Sequence, residues 1–298
     1  DRIAEPSILC ASCYVWNHNH HLARAREVKR AYPGCRVVFG GPHVPAQSAS
    51  YFQDHPFVDV LVHNEGELSL EALLVEFLQE NPNLEQIPGI SLNQDGFALQ
   101  TGKNPVLPKE LPIPSPYLEG MFEPFFAESS QARIALWETN RGCPYSCSFC
   151  DWGVRTMNRL RLHSFDKAAR EIEYLARKQI EDIYITDCNF GIFDRDVELA
   201  RLLVRAKKTW GYPQRVRIQF AKTSNDTVFE ISRMLHENEM LWGTTLSMQS
   251  VDLDVLQAVN RKQIGIEHYQ ELKKRYDKQG IPTYTELILG LPTETRDS

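Results

Sequence analysis

The sequence predicts an α/β protein in two parts: a parallel, doubly wound sheet, then a barrel or partial barrel. Three observations carry that expectation. Strand-like runs alternate with amphipathic helical runs along almost the whole chain. The stretch "NPVLPKELPIPSP" at 104–116 places five prolines where that rhythm pauses. After the next strand-like run comes "RGCPYSCSFCDWG", 141–153, with Cys143, Cys147 and Cys150 in a C-x3-C-x2-C spacing.

Each element can be justified in order. "SILCASCYV" reads as a buried strand, "HLARAREVKRAY" as an amphipathic helix and "CRVVFGG" as a strand ending in glycines. "FVDVLVHNEGE" is a third strand ending at a glycine turn, and "LSLEALLVEFLQE" is the helix after it. "GISLNQDGFALQT" predicts a small hairpin turned at Asp95-Gly96. Proline removes donors and breaks regular elements, so 104–130 reads as a linker between a domain at 1–103 and one at 131–298. In the second part, "ARIALWETN", "IEDIYITD", "RVRIQF", "GTTLSMQS" and "TYTELILG" read as strands separated by helices. An active site in such a fold lies at the carboxyl ends of the strands.

Composition narrows the function. The 298 residues carry a net charge of −6 and a pI near 5.9, which argues against a protein dominated by phosphate-backbone binding. No apolar run approaches the roughly 18 residues needed to cross a bilayer. Neither nucleic acid nor membrane is therefore an expected partner. The chain opens at Asp1 without methionine and stops soon after a strand-like run, so both ends read as cuts. Seven cysteines, an odd number with three clustered too tightly for a disulfide framework, fit a reducing cytoplasm and a metal or redox role.

Three thiolates this close can hold three corners of a cubane and leave one iron open. A zinc site recruiting His163 remains an alternative on ligand count, which would make the chain a zinc-stabilised binding module. The run "CPYSCSFC" resembles the signature loop of the radical S-adenosylmethionine (SAM) superfamily, with Phe149 as the aromatic residue before the third cysteine. The resemblance implies a partial (β/α)6 barrel and a [4Fe-4S] cluster on Cys143, Cys147 and Cys150. It also implies SAM bound to the free iron and cleaved to a 5′-deoxyadenosyl radical on reduction. By position, "TDCNFG" offers Asp187 and Asn189 to the SAM amino group, and Lys222, just past "RVRIQF", is placed to pair with the SAM carboxylate. "LSMQSVDLDVLQAVNRK" offers Ser247 and Gln249, and "ELILGLPTET" offers Glu286 beside the adenine.

Glycines at the carboxyl ends of parallel strands let a ligand approach the backbone. In the first part they also fit a tight turn and a helix start. The order of these segments before the cysteine loop resembles the Rossmann-like cobalamin-binding domain fused to radical SAM barrels. That resemblance implies a corrin lined by Ser12, Tyr14, Trp16 and Asn17, by Gly40, Gly41, Pro42 and His43, and by Asn64, Glu65, Gly66 and Glu67. The family's first glycine in the third loop is replaced by Asn64. No D-x-H-x-x-G supplies a lower cobalt ligand, and the "HNHH" histidines read as a solvated loop. Cys10 and Cys13 read as packing residues.

The whole resembles a cobalamin-dependent radical SAM C-methyltransferase, which moves a methyl group from SAM through methylcobalamin to an unactivated carbon. Its implied partners are a small-molecule or peptide substrate and an electron donor such as flavodoxin or ferredoxin. Rearrangement or cyclisation without methyl transfer is the alternative within the same family.

Overall fold

The computed structural model describes residues 5–46, 48–128, 133–150, 159–223 and 226–295. The last three residues of the cysteine run (151–153), the first residue of the "ARIALWETN" strand and the end of the 104–130 stretch lie outside them. The chain divides into two compact units, Asp1–Val106 and Leu107–Ser298.

Unit 1 runs β1 (Ile8–Ser12), α1 (His18–Ala31), β2 (Arg36–Gly40), α2 (Tyr51–Asp54), β3 (Val60–Val62), α3 (Glu67–Glu76), β4 (Ile90–Gln94) and β5 (Phe97–Gln100). The strands form one sheet in chain order, with β1, β2 and β3 parallel. Side chains alternate across a strand, and here both faces are covered. Val37, Phe39 and Leu61 meet Ala25 of α1 and Phe52 of α2 on one side. Val38, Val60 and Val62 meet Leu73 of α3 on the other. The hairpin turns at Asp95 and Gly96, whose φ angles of 52° and 88° suit a two-residue turn with both residues left-handed. It corrects one expectation, that of a wholly parallel, doubly wound sheet. β4 pairs antiparallel with β3, so the sheet is mixed and its order shows no reversal.

Unit 2 opens with α4 (Glu123–Glu128), β6 (Ile134–Trp137), β7 (Asn140–Arg141), β8 (Arg161–Leu162), α5 (Phe165–Arg177) and β9 (Asp182–Phe190). It continues with α6 (Arg195–Trp210), β10 (Arg215–Phe220), α7 (Asp226–Glu237), β11 (Thr244–Thr245), α8 (Leu253–Ala258), α9 (Ile266–Lys278) and β12 (Thr283–Tyr284). β6, β9 and β10 form a parallel sheet in the order β10-β9-β6, and β11 pairs parallel with β12. Ile183, Ile185, Val216 and Ile218 pack into a core with Ile172 and Leu175 of α5, Leu199 and Leu203 of α6, and Leu235 of α7. The alternate residues Tyr184, Arg217 and Gln219 line a concavity of about 850 Å³ together with Ile134, Trp242 and Tyr284. The last two expected strands are regular for two residues each. Beyond them, single bonds continue the pairing: Leu246 N–H to Tyr284 O at 2.8 Å and Gln249 N–H to Glu286 O at 2.8 Å. Gln249 adopts φ 62°, which interrupts a ladder.

The proline-rich stretch is not a solvated spacer. From Leu107 onward it belongs to unit 2, where Leu107 and Leu111 are buried. Leu111 N–H donates to Leu162 O at 2.8 Å, and Leu162 N–H to Lys109 O at 2.8 Å. Proline removes a donor but leaves carbonyls free to accept, so a strap can dock wherever neighbours donate.

Candidate functional site

The cysteine loop leaves the carboxyl end of β6. Trp137, buried at the end of that strand, donates its indole N–H to Glu171 of α5 at 2.9 Å. Thr139 and Asn140 then wrap the Asp187 carboxylate. Thr139 N–H reaches Oδ1 at 2.7 Å, Asn140 Nδ2 reaches Oδ2 at 2.7 Å and Asn140 N–H reaches Oδ1 at 3.1 Å. The Thr139 hydroxyl also donates to Oδ2. Burial pushes the Asp187 carboxyl up to about 7, while the Thr139 and Asn140 donors pull the other way. Asp187 therefore corrects an expectation. Oδ1 is engaged by backbone N–H groups and Oδ2 by the side chains of Thr139 and Asn140, so Asp187 shapes the entry to the loop and offers no free oxygen to a SAM amino group.

Cys143 and Cys147 are buried and Cys150 is half-buried; none is in a disulfide. Asn189, fully buried on β9, donates Nδ2–H to Cys143 Sγ at 3.2 Å. Its Oδ1 is buried without a hydrogen-bond partner among the described residues. Lys222 Nζ donates to Cys147 Sγ at 3.6 Å and lies 5.4 Å from the centroid of the Tyr145 ring. Phe149 is about one-third exposed. Ser247 and Gln249 converge on Glu286, with Ser247 Oγ donating to Oε2 at 2.9 Å and Gln249 Nε2 to Oε2 at 3.5 Å.

The zinc alternative does not survive the geometry of His163. Its Nε2 lies 3.0 Å from Glu138 Oε2 and its Nδ1 lies 3.1 Å from Lys167 Nζ, so neither nitrogen faces the cysteines. Among the described residues no three His, Cys, Asp or Glu side chains converge closely enough to hold a single ion. A cubane asks less, because each thiolate takes a different iron.

Several residues that hold the loop were not singled out in the sequence. Asn260 Nδ2 donates to Ser146 Oγ at 2.6 Å, and Ser148 N–H donates to Val259 O at 2.9 Å. Buried Arg261 donates to Ser247 O at 2.8 Å. The segment after β11 thus clamps the cysteine loop across more than a hundred residues, which no local signal could reveal. Cys188, on β9, is also beside the loop. Burial first, then Cys143, Asp187 and Cys150, push its thiol up to about 12.

In unit 1 the three candidate loops sit at the carboxyl ends of β1, β2 and β3, the second and third of them carrying glycines. A cleft of about 190 Å³ is lined by Ser12, Gly40, Gly41, Val62, Asn64 and Gly66, among others. Gly41 has φ 94°, and a Cβ there would lie 2.8 Å from Cys13 O. A Cβ on Gly66 would lie 2.8 Å from Val62 Cγ1. Asn64 takes φ 54°, a left-handed conformation that asparagine tolerates, so it replaces the family's glycine without breaking the turn. Gly66 precedes α3 and Glu67 lies in its first turn, so the helix-start reading of these residues also holds. Asn104, not singled out in the sequence, donates to His63 O at 2.6 Å and fastens this loop.

One histidine differs from expectation, and two first-loop residues lie outside the small cleft. Asn17 spends its amide on its own loop, accepting from Tyr14 N–H at 2.7 Å and donating to Ser12 O at 3.1 Å. These bonds position the loop. Trp16 is 76% exposed and stacks on Tyr14 at 4.6 Å, clear of the cleft-lining residues. His18 is buried against Phe39 and His43, because it starts α1 on the side packed to the sheet. Pro42 and His43 follow Gly41, with His43 N–H bonded to Cys13 O at 3.0 Å. Cys13 is buried as expected, whereas Cys10 is exposed.

The fold and the cysteine site define a class. Residues 137–298 match the radical SAM superfamily model, and the chain belongs to that superfamily. It is 49% identical over 296 residues to the 2-(S-pantetheinyl)-carbapenam-3-carboxylate methyltransferase of Streptantibioticus cattleyicolor. It is 48% identical over 301 residues to the cobalamin-dependent radical SAM methyltransferase TokK of Streptomyces tokunonensis. These alignments cover 98% and 100% of this chain and 44% of each relative, so the chain spans less than half their length. The fold is shared with the radical SAM methyltransferase TsrM from Kitasatospora setae, at a TM-score of 0.74 and 18% identity, covering 99% of this chain and 59% of that one. The cobalamin-dependent SAM radical enzyme OxsB aligns at 0.64 and 17%, covering 96% and 41%. Among the described residues no helix is long and apolar enough to cross a membrane.

Proposed function

We propose that this chain is the cofactor-binding part of a cobalamin-dependent radical SAM C-methyltransferase. Unit 1 is a Rossmann-like cobalamin domain and unit 2 a partial barrel that holds a [4Fe-4S] cluster and SAM. The acceptor is an sp3 carbon of a small bicyclic carbapenam-type carboxylate, the substrate class named for the relative at 49% identity. The observation that carries the reading is the cysteine loop itself. Three unbridged thiols sit at a strand's carboxyl end with N–H donors already aimed at two of the sulfurs.

The residues present fit both groups. Three cysteines can bind three irons and leave the fourth open. The unpartnered Asn189 Oδ1 and the half-exposed Lys222 ammonium are suited to an amino and a carboxylate group beside it. Ser247, Gln249 and Glu286 form a polar edge for a ribose or adenine. In unit 1, a Cβ at Gly41 or Gly66 would collide with Cys13 or Val62, so glycine there keeps the loops close-packed, and with Gly40 it leaves backbone along the cleft edge for a flat ligand to approach. When bound, the cluster supplies the electron that cleaves SAM and cobalamin supplies the carrier for the methyl group.

The test is anaerobic purification with iron, sulfide and cobalamin analysis, then incubation with methyl-labelled SAM and a carbapenam acceptor. Two products of SAM are expected, S-adenosylhomocysteine and 5′-deoxyadenosine, with label in the acceptor. Alanine at all three cysteines should abolish deoxyadenosine. Deoxyadenosine with no homocysteine product would move the assignment to rearrangement or cyclisation. Homocysteine product alone would remove the radical step.

A further inference from the structure

The sulfurs of Cys143 and Cys147 are not equivalent to that of Cys150, and the difference lies outside the cysteines. Asn189 places its amide N–H 3.2 Å from Cys143 Sγ, at a position with no solvent exposure. Lys222 places its ammonium 3.6 Å from Cys147 Sγ. No described side chain donates to Cys150 Sγ in the same way. Asn189 comes from the end of β9 and Lys222 from just beyond β10, neighbouring strands that bring two donors to one side of the loop.

Building on the cluster assignment above, we propose that Asn189 and Lys222 are positioning residues that set the reduction potential of the cluster through N–H···S bonds to two of its three cysteines. Reduction adds one electron, taken from an external low-potential donor, to an iron–sulfur core whose charge spreads onto its thiolates. A donor aimed at a thiolate stabilises the more negative state, so it makes the cluster easier to reduce. No proton or bond is exchanged at either residue. Burial strengthens the Asn189 contribution, because no water competes for Cys143. Asn189 acts by hydrogen bonding alone, whereas Lys222 adds its charge. The side chains identified by sequence position as SAM contacts thus have a second task toward the metal.

The experiment is an EPR-monitored redox titration of the anaerobically reconstituted full chain, without substrate. The variants are Asn189→Leu, Asn189→Ala and Lys222→Met. Each should keep full iron and sulfide and shift its midpoint to a more negative potential. The expected size is about tenfold less reduced cluster at a fixed poise, or about 59 mV for a one-electron couple. Midpoints equal to the parent's in iron-loaded variants would overturn the proposal. Should neither Asn189 variant load iron, the parent carrying side-chain 15N-asparagine decides. Pulsed EPR of the reduced cluster should then show a weak 15N coupling, and its absence overturns the Asn189 assignment. A parent that binds no iron would instead sink the cluster reading itself.

Discussion

At Glu138 two opposing effects meet. Burial disfavours its ionised form, but hydrogen bonds from His163 and Arg141, with their charge, win and hold the carboxyl down to about 2. Arg141 reaches Glu138 Oε2 at 2.9 Å, with the Glu138 side chain 32% exposed. Because the folded value lies below the ordinary 4.5, the stabilisation is complete above pH 4.5 and is lost as pH falls toward 2. Discounted for exposure, it is about 2 kcal/mol. Glu138→Gln should lower the unfolding free energy from urea titration at pH 7 by that order, with a lower midpoint, and flatten the dependence of stability on pH below 4.5. Equal midpoints for parent and variant at pH 7 would contradict it. Gly41 is a second single-residue case. Gly41→Val adds a side chain at φ 94° and 2.8 Å from a carbonyl. Cobalamin occupancy, read from its absorption after gel filtration, should fall severalfold while iron content holds. Full cobalamin in both Gly41→Val and Gly66→Leu would show that the loops are misassigned.

At the scale of elements, α8 connects a helix cap to the cluster loop. Asp252 caps α8, accepting from Asp254 N–H at 2.8 Å and Val255 N–H at 3.0 Å. The helix ends at Ala258, and the next residues, Val259 and Asn260, hold Ser148 and Ser146. Asp252→Ala should cost about 1 kcal/mol locally. Amide exchange should rise in 253–261 and at 146–150 together. Exchange confined to the helix would show that the clamp does not depend on it. The Asp95-Gly96 turn was legible in sequence, since it rests on chemistry within two residues, whereas the Asp252 cap was not singled out there. The shortness of β11 and β12 was not legible, because Gln249 turns left-handed where an apolar pattern alone predicts a longer strand.

At the scale of the molecule, each unit carries its own core and its own candidate site. The two cofactors should therefore load separately. Protein with Cys143, Cys147 and Cys150 replaced by alanine should contain no cluster and still bind cobalamin. The Gly41 and Gly66 variants should do the reverse. Metal analysis and visible spectra on the same preparations check both. Loss of cobalamin on cysteine replacement would mean that unit 1 does not hold it unaided.

The sequence by itself determined the element order, the hairpin, the cleft glycines and the cysteine spacing. These rest on periodicity, turn chemistry and ligand count, all of which act over a few residues. Only the tertiary structure decided how the polar side chains are used. Asp187 and Asn17 read as ligand contacts, yet the fold bonds Asp187 to the backbone and side chains of Thr139 and Asn140, and Asn17 to the backbone of its own loop. The prolines at 104–116 read as a break, yet the stretch from Leu107 docks on unit 2 through its carbonyls and leucines. Asn104 and Asn260 carried no signal, yet they fasten a cleft loop and the cysteine loop. The physical reason is reach. Asn260 and Ser146 are 114 residues apart, and a hydrogen bond over that distance exists only once the strands between them have been stacked.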